Sequence, residues 1–244
     1  MQEWYARTEM LFGHEAIETL AAARVAVFGV GGVGGYAVEV MARSGVGHLD
    51  LIDNDTVSIT NINRQIIALN SNVGQYKVDV ARQRVLDINP QCDVRAIRMF
   101  YLPEEADNID LSEYDYVVDC IDTIKAKIDI AMRCHELGIP VISSMGAANK
   151  LDPTMFRVTD LSKTSMDPIA RIMRKKLRKA GIEHLKVVYS EEQPEKINCN
   201  DTPDDSTATS KRPVPASNAF VPAAAGIIIG GEVVKDIIGI GKKQ

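Results

Sequence analysis

Gly29, Gly31, Gly32 and Gly34 follow directly on the apolar run Arg24 to Phe28, in the order Arg-Val-Ala-Val-Phe-Gly-Val-Gly-Gly-Val-Gly. A strand that runs through G-x-G-x-x-G into a helix makes a tight turn, lets the backbone approach phosphates closely, and presents the unpaired N–H groups of a helix N-terminus to an anion. Asp53 closes the next apolar run, 19 residues beyond Gly34. A carboxylate at that point can accept hydrogen bonds from ribose hydroxyls. Glycine loop and carboxylate together specify an adenine nucleotide, without yet saying which one.

The residues that follow narrow the chemistry. Asp55, Asn61, Arg64 and Gln65 come next, and Lys77 stands 13 residues beyond Arg64 at the start of a helical segment. Hydride transfer to a nicotinamide needs no cations aimed at a triphosphate, whereas adenylation needs positive groups and a metal to hold the departing pyrophosphate. A dehydrogenase reading therefore accounts for Gly29 to Asp53 but not for Arg64, Lys77 and Asp122. Asp119 and Asp122 end the fourth apolar run, the edge at which doubly wound sheets bind ligands, and either could hold Mg2+.

A second charged feature lies further on. From Lys163 to Lys186 there are eight basic residues against Asp167 and Glu183, a net of +6 that leaves −11 for the rest of a chain whose net charge is −5. Ile169, Ile172, Met173 and Leu177 recur at helical spacing, which turns Arg171, Arg174, Lys175, Arg178 and Lys179 outward as a candidate contact for a phosphate backbone. The acidic remainder excludes a general DNA-coating protein. Aromatic content of 5% argues against a stacking platform for single strands.

The elements that must position these groups follow from the alternation of short β-branched runs with longer helical periods, the pattern of a parallel sheet covered by helices. Strands are expected at Arg24–Phe28, His48–Asp53, Val94–Phe100, Tyr116–Cys120 and Pro140–Ser144, then at Met155–Thr159 and Lys186–Tyr189. Helices are expected at Val33–Ser44, Gln75–Asn89, Lys125–Leu137, Pro168–Ala180 and Pro222–Ile238, the last packed on the sheet or against a second subunit. The expected class is α/β: a Rossmann-like, doubly wound, mainly parallel sheet with an irregular C-terminal extension. The stretch 190–215 has four prolines and no aromatic residue, and reads as a mobile crossover loop. Cys92, Cys120, Cys134 and Cys199 contain no Cys-x-x-Cys pair, so zinc-ribbon and thioredoxin signatures are absent and scattered reduced thiols suit the cytoplasm. The longest apolar stretch, Ala219 to Gly231, covers 13 residues. That is shorter than the ~20 a membrane span needs.

The motifs GVGGVGG, LIDNDTVSITNINRQ, the lone Lys77 and DCIDT resemble the ubiquitin-activating-enzyme-like superfamily over about residues 7 to 150. The resemblance implies one adenylation domain over residues 1–244 that uses ATP and Mg2+. It implies that Asp53 binds ribose, that Asn61, Arg64 and Lys77 grip the phosphates, and that Asp122 coordinates the metal. It also implies a homodimer in which Arg7 reaches the triphosphate of the partner. Gly146-Ala-Ala-Asn-Lys-Leu-Asp-Pro-Thr and the segment from Val158 into the basic helix are similar to the branch whose members dehydrate threonylcarbamoyladenosine beside the tRNA anticodon. That branch implies a tRNA substrate and a sulfur-relay protein of the cysteine desulfurase system as a partner, with neither DNA nor a membrane. Sulfur-carrier activators of the superfamily carry two Cys-x-x-Cys pairs and a loop cysteine. This chain lacks the pairs, and the neutral-to-acidic flanks of Cys199 do not favour a thiolate. Activation of a ubiquitin-like carrier is the alternative activity. Ser217 and Asn218 stand where some relatives have a cysteine, which favours direct ring closure over a thioester.

Overall fold

A computed structural model describes residues 3–196 and 215–240. The expected crossover loop lies largely outside the described residues, and Cys199 lies wholly outside them. Two N-terminal helices, α1 (Ala6–Phe12) and α2 (His14–Ala22), have no counterpart in the sequence reading and precede the sheet. Then come β1 (Arg24–Phe28), α3 (Gly34–Ser44), β2 (His48–Ile52), α4 (Lys77–Ile88), β3 (Asp93–Ile97), β4 (Tyr116–Asp119), α5 (Ile124–Leu137) and β5 (Val141–Ser144). The chain continues through β6 (Phe156–Asp160), α6 (Pro168–Lys179), β7 (Lys186–Ser190) and α7 (Val221–Ile237).

The seven strands form one sheet in the order β3-β2-β1-β4-β5-β7-β6. Every pairing is parallel except that of the edge strand β6 with β7. The order reverses between β1 and β4, which opens a crevice at the carboxyl ends of these strands. The stretch after Gly146, where alternation loosens in the sequence, thus joins the same sheet through β7 beside β5.

Burial follows the period of two expected of strands. In β1, Val25 and Val27 pack into the core beneath α3, α4 and α7, while Ala26 and Phe28 pack into the opposite core with Ile130 and Cys134 of α5. A third cluster seats Ala170, Met173 and Leu177 of α6 against Val187 and Tyr189 of β7. Helix α7 packs on the sheet of its own chain, crossing α3 closely. A Cβ on Gly226 would collide with the carbonyl oxygen of Val33, so only glycine permits that approach.

Candidate functional site

A cavity of about 560 Å³ opens at the crevice. It is walled by the glycine loop, the end of β2 with the turn after it, the end of β4, and residues 147–148, 215, 217 and 222. Two other cavities of about 480 and 530 Å³ lie at the amino ends of the strands, around Pro140 and Lys186, away from the glycine loop.

The loop is shaped by steric necessity. Gly29 has φ of 86°, and a Cβ there would come within 2.7 Å of the Cys120 carbonyl oxygen. At Gly34 a Cβ would run into the carbonyl oxygen of Gly29. Any side chain at either position therefore breaks the turn. Helix α3 starts at Gly34 without a side-chain cap, leaving first-turn N–H groups beside the cavity-lining Gly31, Gly32 and Val33. Asp53 holds this loop to β2: its Oδ2 accepts from Val30 N and its Oδ1 from Asp55 N, each at 2.8 Å.

Arg64, Gln65, Asn61, Asp55 and Lys77 all reach the same cavity. The Arg64 guanidinium donates to Thr60 O at 2.9 Å and Asn63 Oδ1 at 3.0 Å, and partial burial pulls its pKa down. No carboxylate pairs with it among the described residues. Lys77 is only 6% exposed, and its ammonium donates to Asp55 Oδ2 at 2.7 Å. Asp55 thus orients the lysine, a role the sequence did not distinguish from ligand binding. Asn61 is fixed in turn by accepting from Ser58 N at 3.0 Å. Gln65 carries a buried Oε1 with no hydrogen-bond partner, an orphaned acceptor in the wall of a cavity. A buried polar atom without a partner costs about 1–3 kcal/mol, so it points to a ligand that supplies a donor.

The two candidate metal carboxylates behave differently. Asp122 is exposed and lines the cavity. Asp119 does not: its buried carboxylate accepts from Lys127 Nζ at 2.9 and 3.0 Å and from Ser143 Oγ at 2.5 Å. Its alternation places it on the face covered by α5, and with its lone pairs taken it is removed as a metal ligand. Lys127, 1% exposed, went unnoticed in the sequence although it interrupts the apolar stripe Ala126, Ile130, Ala131 and Cys134 of α5. A lysine on a buried stripe calls for a buried carboxylate. Among the described residues no three His, Cys, Asp or Glu side chains form a metal cluster. A Mg2+ on Asp122 would take its other ligands from phosphate oxygens and water, its usual habit in nucleotide sites.

The ThiF family model matches residues 5–244. The chain belongs to the ThiF family. It is 48% identical over 243 residues to the tRNA threonylcarbamoyladenosine dehydratase of Bacillus subtilis, covering 98% of this chain and 96% of that one. Among solved structures, it superposes on the Escherichia coli tRNA N6-threonylcarbamoyladenosine dehydratase in complex with ATP with a TM-score of 0.84. The identity is 32%, with 97% of this chain and 94% of that one covered. The AMP complex of the same enzyme gives a TM-score of 0.86, 32% identity, and coverage of 99% and 96%.

In this ThiF-family chain the remaining expected residues fall outside the cavity. Arg7 lies exposed on α1 and does not line the cavity of its own chain. On α6, Arg171, Lys175, Arg178 and Lys179 are exposed, as is Lys176. Arg174 is not: its guanidinium folds back to donate to Thr164 O at 2.7 Å and Leu161 O at 3.5 Å and also meets Thr164 Oγ1. It anchors the helix instead of facing solvent. Ile172, expected to pack, is 39% exposed, because the buried stripe runs through Ala170, Met173 and Leu177. The thiols of Cys92, Cys120 and Cys134 are each pushed up to about 12 by burial, so none is a ready nucleophile.

Proposed function

We propose that this chain is an ATP-dependent tRNA threonylcarbamoyladenosine dehydratase, formed as one adenylation domain. The observation that carries the reading is the convergence of the glycine loop, Arg64, Lys77, Gln65 and Asp122 on one cavity, in a chain similar almost end to end to enzymes so named.

The chemistry follows from the placement of these groups. Glycine-loop N–H groups and the start of α3 hold phosphate oxygens, and Asp53 accepts from the ribose. A carboxylate oxygen of the threonyl group attacks the α-phosphorus, the bond to the β-phosphate oxygen breaks, and pyrophosphate leaves. Arg64 and Lys77 offset the negative charge that grows on it. Asp55 keeps the Lys77 ammonium aimed, and Asn61 and Gln65 complete the polar wall. Mg2+ on Asp122 would supply Lewis-acid charge to the phosphates when bound. The tethered carbamoyl nitrogen then attacks the activated acyl carbon, gives up its proton and expels AMP. Proximity makes an enzyme nucleophile unnecessary, in keeping with Ser217 at the cavity wall.

A homodimer would bring Arg7 of one protomer to the triphosphate in the other. The exposed cations of α6 would bind the tRNA backbone, and a sulfur-relay protein remains a partner on resemblance alone. No described helix is long and apolar enough to cross a membrane. A cytoplasmic location belongs to this proposal. Incubation with Mg-ATP and tRNA bearing uncyclised threonylcarbamoyladenosine tests the reading: the nucleoside should lose one water as AMP appears. AMP formation dependent instead on a ubiquitin-like carrier would assign the chain to carrier activation.

A further inference from the structure

Beside the cavity, three large apolar side chains stand in solvent: Leu151 at 62% exposure, Met166 at 68% and Phe220 at 51%. Each is the neighbour, or near neighbour, of a residue in one polar clamp whose ion pair, Lys150 and Asp167, is buried and whose third member, Asn218, is half-buried. Lys150 Nζ lies 3.6 Å from Asp167 Oδ2, and Asn218 Nδ2 donates to Lys150 O at 2.8 Å. The clamp therefore gathers the three apolar residues around it.

Their backbones are pinned while their side chains are not. Leu151 N donates to Glu192 Oε1 at 2.7 Å, and Phe220 N donates to Asn218 Oδ1 at 3.1 Å. Met166 is held at φ 56°, in the left-handed region that side chains other than glycine rarely adopt. The next residue, Asp167, is locked by capping Ala170 N at 2.9 Å and accepting from Gly146 N at 3.0 Å. Strain and anchoring together hold an apolar side chain outward, the reverse of what burial of apolar surface would select.

We infer that Leu151, Met166 and Phe220 form a rim against which unstacked bases of the tRNA anticodon loop rest, with the Phe220 ring as the stacking surface. This inference rests on the dehydratase reading. Charge chooses the occupant. Helix α6 begins two residues after Met166 and exposes Arg171, Lys175, Arg178 and Lys179. On the other side, Ser217 and Pro222 flank Phe220 in sequence and line the nucleotide cavity. An RNA strand with its phosphates on α6 and its reacting adenosine at the cavity would run along the segments that carry these three side chains. Loop bases splayed from their stack are held by aromatic faces without demanding a base sequence.

The test uses the full chain and an anticodon stem-loop RNA carrying threonylcarbamoyladenosine, with 2-aminopurine as its neighbouring base. Wild-type protein should quench the 2-aminopurine on binding. Phe220→Ala should abolish the quench and weaken binding about tenfold, the loss of roughly one base–aromatic stack. Phe220→Tyr should restore both, and ATP affinity should be equal in all three proteins. Met166→Ala keeps the backbone and should weaken binding without changing the quench. Equal quenching and affinity in wild type and Phe220→Ala would overturn the rim while leaving the dehydratase reading intact. So would a Phe220→Ala protein that sediments as a smaller assembly, which would give the rim to a second copy of the chain. Wild-type protein that neither binds the RNA nor forms AMP on it would overturn the dehydratase reading, and this inference with it.

Discussion

Lys77 and Arg64 are two buried or half-buried cations whose solvation has been partly given up before any ligand arrives. Lys77 recovers some of it from Asp55, while Arg64 has only carbonyl and amide oxygens. A cation held this way meets a developing anion without first reorganising water, which is the origin of electrostatic catalysis. Replacing Arg64 or Lys77 by Ala should lower the rate of AMP formation by about a hundredfold to a thousandfold each. Melting temperature, followed by circular dichroism, should change little for Arg64→Ala because it has no carboxylate to strand. Cys199→Ala should keep turnover close to wild type, measured as AMP released per tRNA; an inactive protein would contradict direct ring closure. Among these residues, the glycine turn was legible because a strand running through that spacing into a helix leaves no room for side chains, whereas Lys77 drew attention only through its joint placement with Arg64 and through resemblance. The pairing of Asp119 with Lys127 was not, since Asp119 and Asp122 differ only in which face of the sheet edge they take, and only packing against α5 decides that.

Helix α6 divides its cations between two tasks. Arg171, Lys175, Arg178 and Lys179 face solvent, whereas Arg174 closes the turn at Leu161 and Thr164. Charge reversal at Lys175 and Arg178 should weaken tRNA binding and flatten its salt dependence while leaving stability and ATP affinity unchanged. Arg174→Glu should behave differently. It removes the donors of those turn carbonyls and should lower unfolding free energy by about 2 kcal/mol, read from urea denaturation. Equal effects on binding and none on stability would show that Arg174 faces outward after all. The seven strands and five of the helices were visible from periodicity, the central strands β1, β2, β4 and β5 because buried parallel strands are largely apolar runs, the edge strands β3 and β6 only from their short β-branched stretches. Three strand ends moved inward where the last residues, such as Met99 and Phe100 after β3, leave the sheet to shape the cavity wall. Helices α1 and α2 escaped notice because they bury little: α1 has no buried residue and α2 only Ile17 and Leu20. Without a wide apolar stripe, a sequence period has nothing to report.

At the scale of the whole molecule, the switch point between β1 and β4 brings together groups from segments spread along the chain, from Gly29 to Pro222. That topology explains why a local motif gave the nucleotide but not the depth of the site. Position in the crevice comes from strand order, which depends on contacts distant in sequence. Arg7 lies outside the cavity of its own chain, so a role for it requires a second chain. Mixing inactive Arg7→Ala with inactive Lys77→Ala, after exchange of subunits, should regenerate activity, because one site of each mixed dimer would hold both intact residues. Activity that stays absent, in a mixture shown to have exchanged, would remove Arg7 from catalysis across the dimer. The account as a whole turns on a carboxylate in RNA being adenylated and then displaced from within. Its most direct measurement is the mass of the nucleoside recovered from threonylcarbamoyladenosine-bearing tRNA after incubation with the protein and Mg-ATP. Loss of one water per adenosine, matched by AMP, is the result expected; an unchanged mass with no AMP, from folded protein that binds ATP, would contradict it.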